Sequence, residues 1–384
     1  MTKIDDEIQP PSVAELRKSI PARCFERSLL RNVCYVLRDS LLAICIGYLA
    51  HQNIPIELSI ASALGWTVYC FIQGTIVMGL WVIGHECGHG AFSNSSIIND
   101  MVGFTIHSFL LVPYFSWQRT HAVHHARCNH LLDGETHNPG LKKKMIVAMT
   151  KAANLIGEDA FVILQIIGHL FFGWLLYLFY HETGSRRSPI TKERYKQRPN
   201  HFDPRGNNEL FPVKMLYKVA LSTGAVLGVI ALLSFLMVRH GVISVLLHYV
   251  GPYLVVNGWL VLYTWLHHTS VQIPHYGDEE WTWLKGALST VDRPYPWIID
   301  ELHHHIGSTH VCHHIFHELP HYHAQEATRA LKTKLGELYR YDSTPILSAL
   351  WSAARDCHFV DGLEGKQYYK SIFSVDNYNS TNST

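Results

Sequence analysis

Polar and apolar positions alternate in long blocks along this chain. Apolar runs lie near 40–50, 57–83, 101–115, 160–180, 215–238 and 242–264, separated by strongly polar stretches. A membrane-spanning helix needs about 20 apolar residues. The first run reaches that length only if Val33–Leu37 extend it past Arg38 and Asp39, with His51-Gln-Asn-Ile-Pro55 as a tight turn, so 33–83 is expected to be a helical hairpin. Arg239-His-Gly241 is an equally tight turn between the last two runs, which predicts a second hairpin over 215–264. The run 101–115 is too short to cross. The run 160–180 contains Gln165, Gly168, His169 and Gly173 and ends in Trp174, Tyr177 and Tyr180, as an interfacial helix would. The alternative is that 160–180 crosses and 101–115 pairs with it as a re-entrant element.

Composition sharpens this picture. Apolar residues are 48% and charged residues 16% of the 384, below the roughly 25% charge of a soluble domain. The net charge of +1 offers no electrostatic footprint for nucleic acid. The first twenty residues carry Lys3, Asp5, Asp6, Glu7, Arg17 and Lys18 and no apolar core of a signal peptide. Eight cysteines form no CxxC pair and read as free thiols, and thiolate ligation by Cys87 or Cys312 is disfavoured. Arg23, Arg27 and Arg31, then Lys142–Lys144, Arg186, Arg187, Lys192, Arg194 and Lys196, put the excess of positive charge on the face that holds both termini, which is expected to be cytosolic. On that face the sequons at Asn94, Asn379 and Asn382 stay unmodified. Pro199, Pro204, Gly206 and Pro212 mark a linker. The chain reads as one domain: 1–32 an N-terminal segment, 33–83 and 215–264 the hairpins, and 84–214 and 265–384 the polar cap.

Histidine is the outlier, at 27 residues. Three boxes stand out: His85-Glu-Cys-Gly-His89, His121-Ala-Val-His124-His125 and His310-Val-Cys-His313-His314. Each spaces its imidazoles three or four residues apart, on one helical face. His268, at the end of the last apolar run, is a ninth candidate. This is more than one metal can take, since a structural zinc uses four ligands and a catalytic zinc three. Two metals fit the count, and only a redox-active pair such as iron can supply electrons to O2. Box one also matches the H-E-x-x-H zinc-protease pattern, but two further boxes leave no role for a lone zinc. A membrane metal carrier would place its ligands within the spans. Glu86 reads as an acceptor for an imidazole N–H or a solvated charge. His267 reads as structural, and His303, His304 and His305 as candidates for the layer behind the ligands. His130, His137, His317, His321 and His323 read as surface or helix-cap residues, and His169, His181, His240 and His248 as interfacial or packing residues. All boxes must reach one cluster, so the number of spans between boxes two and three is even. Four spans satisfy this.

The chain resembles the membrane fatty-acid desaturases, most closely the endoplasmic Δ12 (oleate) type and its ω-3 relatives, over about residues 12–370. Besides the boxes, the resemblance rests on Ile20-Pro-Ala-Arg-Cys-Phe25, Trp81-Val-Ile-Gly84, Ala91-Phe-Ser93, His107-Ser-Phe-Leu-Leu-Val-Pro-Tyr-Phe-Ser-Trp117, Ala287-Leu-Ser-Thr-Val-Asp-Arg293, Leu319-Pro-His-Tyr322 and Glu326-Ala-Thr328. It implies an all-α integral membrane fold of two hairpins under a cytosolic helical cap. It also implies two non-haem irons on His85, His89, His121, His124, His125, His268, His310, His313 and His314. Cytochrome b5 with its NADH reductase would be the electron donor, a fatty acyl lipid or acyl-CoA the substrate, and the endoplasmic reticulum membrane the location. The expected reaction is O2-dependent desaturation of oleoyl to linoleoyl chains, with ω-3 (Δ15) or bifunctional action as the alternative. His267-His268 stands where the family commonly has Gln-His. Ile306-Gly-Ser-Thr-His310 leans toward ω-3 relatives, and His85-Glu-Cys toward the Δ12 type. The segment Asn129–Pro139 departs from the usual Δ12 pattern, which leaves the position of the new double bond open.

Overall fold

The computed structural model describes residues 9–57, 59–141, 145–206 and 208–374. The acidic N-terminal residues Asp5–Glu7, the basic triplet Lys142–Lys144 and the polar tail with Asn379 and Asn382 lie outside the described residues.

Helix α1 (Val13–Ser19) opens with a reciprocal capping box between Ser12 and Glu15. Helix α2 (Leu29–Asn53) starts at Ser28, whose hydroxyl accepts the Arg31 N–H, and stops before Ile54-Pro55, where proline forbids continuation. The expected tight turn at 51–55 is therefore shifted. The helix runs through His51 to Asn53, and the next begins at Ile60. Helix α3 (Ile60–Gly88) is capped by Ser59 and runs unbroken from the apolar block into box one.

Helices α4 (Ser96–Phe109) and α5 (Tyr114–Ala126) follow, bent by 107° at the break between them. Box two sits on α5. The run read as too short to cross is one arm of this bent pair, which turns at Pro113. Helix α6 (Met145–Ile156) leads into α7 (Glu158–Tyr180). The described residues between 181 and 212 contain no helix, as the prolines and glycine there predict.

Helix α8 (Leu216–His240) ends at Gly241, whose φ of +89° a side chain would strain. The last apolar block is α9 (Val242–Val245), one π-helical turn (Leu246–Val250) and α10 (Gly251–His268). Beyond it lie α11 (Trp283–Ala287), α12 (Trp297–Leu302), α13 (His310–Ile315), α14 (His321–Leu335) and α15 (Ile346–Asp356). Strands are minimal. β1 (Gly140–Leu141) pairs in parallel with β3 (Phe359–Val360), and β2 (His275–Tyr276) antiparallel with β4 (Lys366–Gln367).

Among the described residues, five helices are long and apolar enough to cross a membrane: α2, α3, α7, α8 with its preceding turn, and 242–268. The bent α4–α5 pair would make a sixth if it counted as one span. Their exposed faces are greasy, with Leu41 59% and Phe235 63% exposed, which suits lipid rather than water.

Helix α3 is the most enclosed of the five, packed by α2, α4 and α10. Its glycines make this possible. A Cβ on Gly84 would strike the ring of His107, and one on Gly79 the carbonyl of Leu302. The main core joins Met78, Trp81 and Val82 of α3 to Leu260 and Val261 of α10, Trp174 and Leu178 of α7, and Trp117 of α5. A second core lies in the cap, where Leu16, Ile20 and Cys24 pack on Val311, Ile315, Phe316 and Leu331. Each fully buried leucine there contributes roughly 1.5–3 kcal/mol. These cores bring the ends of α3, α5 and α10 and the short α13 to one place.

Candidate metal centre

Box one lies on the last turn of α3, with His85 inside the helix and His89 at its C-cap. Box two is the C-terminal half of α5, and His268 is the last residue of α10. Box three forms α13, a helix of six residues. So short a helix needs outside support. It comes from the buried Asp292, whose carboxylate accepts the Val311 N–H at 2.7 Å and the Tyr339 hydroxyl. Burial pushes the Asp292 carboxyl up to about 7, with the Tyr339 and Val311 hydrogen bonds pulling the other way.

All nine predicted histidines converge. His85, His89, His121, His125 and His313 form one group whose ligand atoms lie within 4.8 Å of one another. His124, His268 and His314 belong to a second group, joined there by Cys128. His310 meets His268 with 3.0 Å between their Nε2 atoms. The groups abut, with the His125 and His314 rings 4.4 Å apart.

Several facing nitrogens meet like with like: Nε2 to Nε2 is 3.2 Å for His85 and His89, 2.9 Å for His89 and His121, and 3.2 Å for His121 and His125. Buried ring nitrogens of His85, His125, His310 and both of His314 have no hydrogen-bond partner. Nε2 atoms that face one another in a buried ring, and the two unmet nitrogens of His314, are costly unless a cation sits among them. Burial, and then the neighbouring imidazoles, hold the rings of His310, His313 and His314 well below the usual histidine range, hence neutral and able to ligate. The donor set of two abutting groups therefore fits two metal ions.

Supporting contacts fix several rings. His124 Nδ1 donates to the Glu135 carbonyl at 2.7 Å. Glu86 is buried, with Oε1 3.4 Å from His85 Nδ1 but no hydrogen bond between them, so the solvated reading fails and the acceptor reading has only this proximity behind it. The Glu135 side chain is buried too, accepting from Tyr177 at 2.9 Å and the Ser185 N–H at 3.3 Å, and burial pushes its carboxyl up to about 7.

Other histidines depart from expectation. His317 is half-buried with its ring 4.8 Å from His89 and 5.1 Å from His125, not a surface residue. It extends the box-three spacing by three positions, the signal that should have singled it out. His137 is half-buried in the cavity lining and hydrogen-bonds Thr264 at 2.9 Å, and His321 is buried against His304, ring to ring at 4.4 Å. His130 caps a turn through the N–H groups of Leu132 and Asp133. His303 bonds Tyr263 of α10 and the Thr75 carbonyl of α3, His304 bonds Asp39 of α2 and His305 bonds Asp300 of α12, so they brace those helices and not the ligand rings. His267 faces Val291 and Tyr295. Cys87 and Cys312 lie in apolar clusters, whereas Cys128, which no motif marked, lies at the second group.

A cavity of about 420 Å³ opens beside both groups. His85, His121, His124, His268, His310 and His313 form its reactive wall. The rest is largely apolar, including Trp81, Trp174, Phe172, Leu260, Val261 and Ile306, between α3, α7 and α10. It can hold a hydrocarbon chain against the imidazole cluster.

The family model described as fatty acid desaturase matches residues 64–345. The chain is 39% identical over 367 residues to a Delta(12) fatty acid desaturase of Calendula officinalis, covering 95% of this chain and 93% of that one. It is 40% identical to an endoplasmic reticulum omega-6 fatty acid desaturase (isozyme 2) of Glycine max, covering 91% and 88%. It is 39% identical to an oleoyl-12-hydroxylase of Ricinus communis, covering 93% and 89%.

Proposed function

The chain belongs to the fatty acid desaturase family, and from that premise we propose that it is an O2-dependent oxidoreductase placing a cis double bond at Δ12 of oleoyl chains in membrane lipid. One observation carries the reading: nine imidazoles converge in two abutting groups, and six of them stand in the wall of an apolar cavity. The names of the relatives support Δ12 over the ω-3 alternative. The reaction balances as one –CH2–CH2– unit, O2, two electrons and two protons giving –CH=CH– and two waters.

His85, His89, His121, His125 and His313 would hold one iron, and His124, His268, His310 and His314 the other. Bound there, the iron pair would supply the redox chemistry that activates O2 toward an unactivated methylene. The chain's own residues do the rest. Val261, Leu260, Trp174 and Phe172 seat the hydrocarbon and exclude water. The Glu135 carbonyl holds the His124 ring in place, and the Glu86 carboxyl lies beside the ring of His85. Electrons would come from cytochrome b5 and its NADH reductase at the cap.

Residues 1–384 form one desaturase domain in the endoplasmic reticulum membrane, with termini and boxes cytosolic. Four segments cross: α2, α3, α8 and 242–268. Helix α7 is read as interfacial because both its ends dock on cap residues. Glu158 and Asp159 pair with Arg355 of α15, and His181 lies 3.3 Å from Glu135. The bent α4–α5 pair then enters and leaves on the same side, since α4 starts beside Ser93 and α5 ends in box two.

Expression in a yeast that makes no polyunsaturated lipids tests the reading. A new 18-carbon diene with double bonds at Δ9 and Δ12 is the expected product. A hydroxylated chain, a triene from fed linoleate alone, or no new lipid would each overturn it.

A further inference from the structure

The imidazoles of the second group differ in what holds their outer nitrogens. His124 gives its Nδ1 proton to a backbone carbonyl at 2.7 Å, a strong acceptor. His268 faces its partner His310 through Nε2, so a metal shared with His310 lies on that edge and the proton of His268 is left on Nδ1. The hydrogen-bond partner of that Nδ1 is sulfur, the Cys128 Sγ at 3.7 Å.

The direction of this contact follows from the next residue. Asn129 donates its side-chain amide to the carbonyls of Pro274 at 3.0 Å and Ser289 at 3.2 Å. That orientation turns its Oδ1, which can only accept, toward the Cys128 thiol 3.3 Å away. The thiol proton of Cys128 is thereby committed to Asn129, and the sulfur lone pairs face His268. Cys128 is held from behind as well, its carbonyl accepting the Trp281 indole N–H at 2.9 Å. The thiol is 1% exposed, so no water competes for His268.

We infer that Cys128 is a positioning residue for the metal centre, its neutral thiol accepting the Nδ1 proton of His268 and fixing that ring's tautomer and tilt. The inference rests on the two-iron reading above. A thiol is a weak acceptor where a carbonyl or carboxylate is usual. It leaves His268 a less basic ligand than His124, and it makes the second group the more easily emptied of the two.

The test uses the full-length protein in detergent, loaded with ferrous iron without oxygen, and compares wild type with Cys128→Ala and Cys128→Ser. Serine keeps one donor and one acceptor in nearly the same volume, whereas alanine removes both. Each protein is expected to start with two irons per chain. In the alanine variant one of the two should pass to a chelator about 10–100-fold faster and the other at the wild-type rate, and in the serine variant both should leave at the wild-type rate. Unchanged release in the alanine variant overturns the inference, as does equal acceleration of both irons in the two variants, which would mark a packing role. A thiolate-to-metal charge-transfer band in cobalt-substituted wild type, lost in the serine variant, also overturns it by making Cys128 a direct ligand. Wild type that binds no pair of irons would sink the two-iron reading itself, an outcome distinct from all of these.

Discussion

His268 and His310 come from elements 42 positions apart, yet their Nε2 atoms stand 3.0 Å from each other. Neither is close in the chain to His124, whose ring lies 4.7 Å from that of His268. The neighbouring His267 packs its ring 4.5 Å from that of His310, but both its nitrogens are taken, one by the Val291 carbonyl and one, at 3.0 Å, by Tyr295. One helical position therefore separates a ring in the cluster from a ring that braces the cap, and substitution should separate them too. His268→Ala should cut desaturation by about 100-fold or more and lower bound iron toward one per chain. His267→Ala should leave iron near two per chain and cost about 1–3 kcal/mol of stability, because it strands buried partners. Metal analysis and lipid profiling of both variants check this.

His317 gives a graded case. Its ring lies against His89 and His125, and its Nδ1 is buried without a partner. His317→Ala should reduce activity by about tenfold, less than His313→Ala, since His317 flanks the first group and His313 belongs to it. Turnover of both variants at equal protein level is the measurement.

The cavity can be filled without touching a ligand. Val261 lies in its wall opposite Gly173, whose Cβ would contact the Val261 methyl groups at 3.5 Å. Val261→Phe should push a ring into the space, lowering diene formation at least tenfold while both irons stay bound. Iron content beside product yield distinguishes a blocked cavity from a lost metal.

Acid should destabilise the cap through neutral imidazoles. Burial pushes His137 down to about 3 and His201 down to about 4, against 6.5 when exposed. Unfolding between those values takes up protons, so stability is fully present above pH 6.5 and falls as pH drops toward 4 and then 3. Each group steepens that fall by up to about 1.4 kcal/mol per pH unit. His137→Gln should keep a bond to Thr264 and flatten the acid limb. Thermal unfolding at pH 7.5 and pH 5 provides the comparison.

Much of this protein was legible along the chain. The apolar blocks and their turns marked the long helices, because a segment in lipid must satisfy its own backbone and that demand is written into continuous composition. The boxes were legible because three- and four-residue spacing places imidazoles on one helical face regardless of what lies opposite. Other features depended on contacts between distant segments. Asp292, which steadies α13, and the Glu135 carbonyl, which holds His124, carry no local pattern. Cys128 stood in no motif and matters only because α10 brings His268 to it. The bend between α4 and α5, and the docking of both ends of α7 on the cap, were likewise set by packing.

The sequence by itself determined which residues are greasy enough to face lipid and which imidazoles share a helical face, since both are properties of neighbours in the chain. Only the tertiary structure decided how the nine rings divide into two groups, which of His267 and His268 belongs to them, and what holds each ring from behind. Those are distances between residues far apart in the chain, settled by how α3, α5, α10 and α13 pack.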